Sequence, residues 1–319
     1  MSVPSVGAPQ PYYLLHLTGK PGIWRPLVGV VALVAWMLVL SGTVALVPFV
    51  IYALSTDRDL GAYLTRLIDL DNPTPGGLAY LNIALASLIP AVLLVTWVLH
   101  GLKPGWLSSV RPRMRWQFFV ICLGLALVSL IAALLVAAVL PHDEAAGADI
   151  SGNLNAWTST TRDFVLVVVL LTPFQAAGEE YLFRGYLTQA FGGIFRSRLV
   201  AIVLPAVLFA LAHGLGQSVP IFFDRLAFGL VAGLLVVLTG GLEAGIAMHV
   251  LNNWVAFGLT LAFGDMATAL NPTGGGWWMV PATLAQSLVF LGLVYAVARA
   301  MRLRNTGNPR VLEAPAGPV

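Results

Sequence analysis

The chain has 319 residues, of which 58% are hydrophobic and only 10% charged, with a formal net charge of +3; a soluble domain carries about 25% charged residues. So few charges cannot cover a water-soluble fold of this size, which excludes a soluble enzyme, a disordered chain and a disulfide-stapled secreted domain, and leaves an all-α polytopic membrane protein in contact with a lipid bilayer. Long continuous apolar runs exclude an outer-membrane barrel, scattered basic residues without a stripe exclude a nucleic-acid partner, and the single cysteine, Cys122, excludes an intrachain disulfide or a thiolate zinc site.

Residues 1–25 read as a cytoplasmic N-terminal segment with no apolar core and no removable signal peptide. Eight apolar runs follow, over 26–54, 78–100, 116–140, 164–189, 199–213, 222–239, 242–263 and 277–300; a transmembrane helix needs about 20 apolar residues. The fifth is short and the fourth is interrupted by Glu179, Glu180 and Arg184. Residues 56–70 read as a short amphipathic surface helix. Gly229 and Gly233, and again Gly241 and Gly245, have the spacing of close helix packing. Trp106, Trp116, Trp157, Trp277 and Trp278 lie near run ends, as interfacial aromatics do. The organisation expected is a stretch of helices and loops over 26–163, a core over 164–263, a last helix within 264–304 and a disordered cytoplasmic tail over 305–319.

Loop charge sets the expected orientation. Loop 55–77 carries Asp57, Asp59, Asp69 and Asp71, and loop 141–163 carries Asp143, Glu144, Asp149 and Asp163. Loop 101–115 carries Lys103, Arg111, Arg113 and Arg115 and no acid, and the stretches after the fourth and last runs are basic. Lys and Arg concentrate on the cytoplasmic side. Eight spans with both termini cytoplasmic place 13 of the 17 Lys and Arg inside.

An ionisable residue at the centre of a span costs about 2.5–3.5 kcal/mol and marks a functional site. Glu179, Glu180, Arg184, His213 and His249 are read as the set that does so, with Asn253 beside His249. Residues four apart share a helix face. Glu180 therefore pairs with Arg184, His249 with Asn253, and Phe209 stands one turn before His213. Glu179 lies about 100° around the helix from Glu180 and has no local partner. The economical arrangement is a cavity between the fourth, fifth and seventh runs into which Glu179, His213, His249 and Asn253 point. A carboxylate and an imidazole there can hold and deprotonate a water, and a second imidazole and an amide can donate to an oxyanion. Glu179, His213 and His249 are also the ligands the chain would offer zinc or another divalent metal.

Glu179-Glu180-Tyr181-Leu182-Phe183-Arg184, then Phe209 and His213, then His249 and Asn253 resemble, in order and without a substitution, the EExxxR, FxxxH and HxxxN motifs of the CPBP family, the CAAX-protease and bacteriocin-processing (Abi) intramembrane proteases. The resemblance covers about residues 164–260. It implies an intramembrane endopeptidase acting on a membrane-associated protein or peptide. Glu179 and His213 would activate the water, His249 and Asn253 would stabilise the oxyanion, and Glu180, Arg184 and Phe209 would support the site. Some members are described as metalloproteases and others as glutamate-dependent; the HExxH arrangement of zincins is absent. The integral-membrane setting implied is the inner membrane of a prokaryote.

Two other readings of these residues stay open at this stage: a catalytically silent scaffold or immunity protein of the same fold, and a proton-coupled transporter. Substrate and oligomeric state have no signature in the chain. One mismatch is visible. From its cytoplasmic end Glu179 lies about 10–15 Å deep if its helix stops at Gln189, whereas His213 lies about 22 Å deep if its helix starts at Arg198.

Overall fold

The structure is a computed structural model that describes residues 8–140, 153–214, 216–270 and 275–308. Asp143, Glu144 and Asp149 of the acidic loop and Arg310 of the tail lie outside the described residues. The fold is all-α and polytopic. Seven helices are long and apolar enough to cross a bilayer: Trp24–Ser55, Pro75–His100, Trp116–Ala137, Ser159–Phe195, Val219–Thr239, Glu243–Phe263 and Met279–Ala300. The expected fifth run forms the shorter helix Arg198–Ala212, whose 15 residues extend about 22 Å. Large apolar side chains such as Val31, Leu38, Ile51 and Leu127 face outward, as lipid-facing residues do.

Loop contacts sort the connections into two faces. On one, Lys20 N–H donates to the His100 carbonyl, Val110 N–H to Gly240 and Leu242 N–H to Ser108. On the same face Gln10–Pro11 pairs antiparallel with Thr306–Gly307. On the other, Asn155 N–H donates to Ala262. The two ends of the described chain thus share a face, as they would if Arg198–Ala212 crossed together with the seven longer helices. Thr306–Gly307, within the stretch expected as tail, thus forms a strand, and 309–319 fall outside the described residues.

The N-terminal segment is more structured than its composition suggests. Tyr12–Thr18 forms a 3₁₀ helix whose Tyr12 and Leu15 are fully buried, with the Tyr12 hydroxyl donating to the Leu107 carbonyl. It lies against the end of the fourth span, where a Cβ at Gly192 would stand 2.0 Å from the Tyr13 carbonyl oxygen. Gly192 serves this close approach. The expected surface helix is Leu60–Leu67, capped by Asp59, whose carboxylate accepts from Ala62 N–H at 2.6 Å.

Small residues bring the core helices together. Cβ positions at Gly229 and Gly233 would meet Ala206 and Ile202 at 3.0 and 3.1 Å, so the GxxxG face of Val219–Thr239 receives Arg198–Ala212. A Cβ at Gly178 would stand 2.2 Å from the Leu85 carbonyl, which seats the fourth span against Pro75–His100 at the level of Glu179. A further buried ion pair locks one face. Arg115 Nε and Nη2 donate to Glu243 Oε1 and Oε2 at 2.8 and 2.6 Å, and Arg115 Nη1 donates to the Thr239 carbonyl. Arg115, read from sequence as a loop charge, is in fact the partner of a glutamate with no exposure.

Candidate active site

The fourth span, Ser159–Phe195, carries the first motif. Its middle is continuous helix through Glu180 and then a π-helical stretch, Tyr181–Leu187. Such stretches are concentrated at functional sites because they shift the register of side chains. The helix runs on to Phe195, six residues beyond the expected end, and only then turns at Arg196 and Ser197 into Arg198–Ala212. Glu179 is therefore about 24 Å along the helix from that turn and His213 about 22 Å. The expected mismatch in depth disappears because the fourth helix is longer. Gly214, with a φ of +115°, ends the fifth helix and leaves His213 at its C-cap.

Glu179, Phe209, His213, His249 and Asn253 all line one cavity of about 580 Å³. Glu180 and Arg184 lie behind it, 0% and 1% exposed. Arg184 Nη1 donates to Glu180 Oε1 at 2.9 Å, and the same oxygen lies 2.9 Å from His249 Nδ1. A carboxylate oxygen accepts, so His249 donates from Nδ1 and turns Nε2 to the cavity, 3.6 Å from Glu179 Oε2. Glu180 thus does more than pair with Arg184: it fixes the orientation of His249. The approach depends on Gly245, where a Cβ would stand 2.7 Å from Glu180 Oε2. The Arg184 guanidinium also lies 4.0 Å over the Phe209 ring, and Phe209 meets the His213 ring edge-on at 4.5 Å between centroids. Phe209 is the packing centre that joins all three motifs.

His213 Nδ1 is 2.8 Å from the Phe209 carbonyl. A carbonyl only accepts, so Nδ1 carries the proton and, in the neutral ring, Nε2 the lone pair. His213 and Asn253 are partly exposed, whereas Glu179, Phe209 and His249 are buried.

The structure supplies a residue that the motifs omit. Gln175 Nε2 donates to Glu179 Oε1 at 2.8 Å, and Gln175 Oε1 accepts from Asn253 Nδ2 at 2.9 Å. Glu179 therefore has a local partner one turn earlier on its own helix, contrary to expectation. Its Oε2 has no hydrogen-bond partner among the described residues. The i, i+4 spacing of Gln175 and Glu179 was the available signal. Asp224 and Arg225 on Val219–Thr239 also line the cavity, and Glu243 lies in the seventh span. The expected set of intramembrane charges was thus too small.

The donors of Glu179, His213 and His249 suit a divalent metal, and both imidazoles have the outer hydrogen bonds typical of metal ligands. They do not converge as a ligand set: among the described residues no three His, Cys, Asp or Glu stand together with metal-ligand spacing.

Residues 161–255 match the family model for Type II CAAX prenyl endopeptidase Rce1-like proteins. Among curated proteins, the uncharacterized protein YyaK of Bacillus subtilis (strain 168) is 27% identical over 150 residues, which is 44% of this chain and 50% of that protein. The chain thus spans about half the length of the curated relative it matches. No solved structure matches it. Over the span that holds all three motifs, the chain is similar to the Rce1-like proteins of the CAAX-protease, or CPBP, family.

Proposed function

We propose that the protein is an intramembrane endopeptidase that hydrolyses a peptide bond of a membrane-associated protein or peptide. The observation that carries this reading is the free Oε2 of Glu179, held in a cavity beside His249 Nε2, with the other carboxylate oxygen tied to Gln175. Glu179 Oε2 takes a proton from a water that His213 Nε2 also holds by accepting its second hydrogen. The resulting hydroxide attacks the carbonyl carbon. His249, held by its Nδ1–H donation to Glu180, keeps its ring beside the reacting carbonyl, and the second N–H of the Asn253 amide donates to the oxyanion. The proton on Glu179 then passes to the leaving amine, and the C–N bond breaks. A low-dielectric cavity strengthens each of these electrostatic contacts.

The test compares the termini of membrane proteins in cells carrying the wild type or Glu179→Gln. New termini present only with the wild type support the reading; identical termini overturn it.

Gln175 serves as a positioning residue in this scheme. Gln175→Leu removes both of its hydrogen bonds and is expected to lower kcat about 10- to 100-fold, since small misplacements at a reacting group cost up to about 10² in rate. KM should stay within about twofold, because Gln175 acts before any substrate contact. Equal kcat, or a change confined to KM, would count against the role.

The basic face, which holds Lys20, Lys103, Arg111, Arg113, Arg196 and Arg302, is proposed to be cytoplasmic in a prokaryotic inner membrane. A reporter fused after Val319 should be cytoplasmic and one inserted within loop 141–161 external. The reverse pattern in either fusion would refute the orientation.

A further inference from the structure

A second cavity, of about 340 Å³, lies on the basic face between the N-terminal 3₁₀ turn and the end of the fourth span. His16, Lys20, His100 and Arg196 line it, and no acidic residue does. His16 is 6% exposed, and neither of its ring nitrogens has a hydrogen-bond partner among the described residues. Its ring stacks on that of His100 with centroids 3.9 Å apart, while His100 Nε2 is hydrogen-bonded to the Tyr186 hydroxyl at 2.9 Å. Burial, together with the neighbouring His100, holds the His16 imidazole well below its ordinary pKa, so it is neutral near pH 7 and brings one N–H donor. Lys20 and Arg196 are exposed at the rim, and neither side chain makes a hydrogen bond or ion pair among the described residues.

The chemistry of this lining is cationic with neutral donors behind it, which is complementary to a small multivalent oxyanion. Its position supplies the rest. The first span begins at Trp24, beside the cavity, and Ile23, which lines it, is 64% exposed. Trp24 and Leu27 continue the exposed apolar surface down that span. An oxyanion held at Lys20 and Arg196 with acyl chains attached would lay those chains along this surface. A soluble oxyanion would leave it unused.

We propose that this cavity is a phosphate-group site, filled from the bilayer by the headgroup of an anionic phospholipid. The site stands apart from the catalytic cavity and does not depend on the peptidase reading.

The test uses the full chain in a non-ionic detergent, titrated with a short-chain phosphatidylglycerol, the matching phosphatidylcholine, and inorganic phosphate. Two double variants are compared with the wild type: Lys20→Ala with Arg196→Gly, and Arg111→Ala with Arg113→Ala. The second pair removes two exposed charges from the same face outside the cavity. Arg196 has a φ of +50°, a conformation glycine adopts freely, so the first pair should fold; size exclusion and melting check this. Phosphatidylglycerol is expected to bind the wild type and the Arg111/Arg113 variant alike, and the Lys20/Arg196 variant at least tenfold more weakly. Phosphatidylcholine should bind the wild type at least tenfold more weakly than phosphatidylglycerol. Inorganic phosphate binding as tightly as the lipid, with the same loss in the Lys20/Arg196 variant, would support the phosphate site and overturn the lipid as its source. Equal losses in both double variants, or no loss in either, would overturn the site.

Discussion

Glu179→Gln is expected to reduce proteolysis by about 10²–10⁴-fold, the range for loss of a positioned general base, while the protein still inserts and purifies. The substitution keeps side-chain volume and leaves a carbonyl oxygen to accept from Gln175, so the 2.8 Å contact can persist. What disappears is the basic Oε2 that faces the cavity. His213→Ala should fall in the same range, because the lone pair on Nε2 is the second acceptor for the attacking water. The double variant should lose little more than either single one, since groups that act as a unit are strongly non-additive. Rates of a cognate cleavage and the melting temperature of each variant are the measurements. Wild-type kcat/KM in Glu179→Gln would remove the mechanism, whatever its melting temperature.

Arg184→Ala and Glu180→Ala should act first on stability. The pair is 1% and 0% exposed and joined at 2.9 Å. Removing one member of a buried pair strands the other and typically costs about 3–5 kcal/mol. Arg184→Ala additionally loses the contact over Phe209 at 4.0 Å, and Glu180→Ala releases His249 Nδ1. Replacing both charges together, with Leu and Met, should melt higher than either single variant, because no uncompensated charge remains. That double variant should still be inactive, since His249 then has no partner to orient it. Melting temperatures in detergent and cleavage rates separate these effects. Single variants that melt with the wild type would show that the pair contributes little.

These two expectations rest on different kinds of information. Glu179, Glu180, Arg184, His213 and His249 were visible in the sequence because a charged or imidazole side chain in an apolar run is costly and stands out, and Asn253 because it stands one turn after His249. Helical spacing suggested one cavity for Glu179, His213, His249 and Asn253, all of which line it, while Glu180 and Arg184 lie behind it. Gln175 was invisible to that rule, because an uncharged amide in a span raises no alarm; only the 2.8 and 2.9 Å contacts to Glu179 and Asn253 reveal its position. Asp224 and Arg225 lie near the start of Val219–Thr239, and only the structure shows that they line the same cavity. Glu243 is buried against Arg115, a residue 128 positions earlier, and no spacing within one helix points to that partner.

The amino-acid sequence by itself determined the solvent, the all-α class, the number of apolar runs and the motif residues proposed to carry the chemistry. Each of those depends on composition or on spacing within one helix, and helical periodicity is a local property. Only the tertiary structure decided how far the fourth helix runs, and so that Glu179 and His213 are level. It alone decided that Glu180 holds His249, that Gln175 joins Glu179 to Asn253, and that the two ends of the described chain meet on one face. Those facts depend on contacts between residues far apart in the chain, made where glycines such as Gly178 and Gly245 let two backbones or a carboxylate approach. No local pattern encodes such a distance.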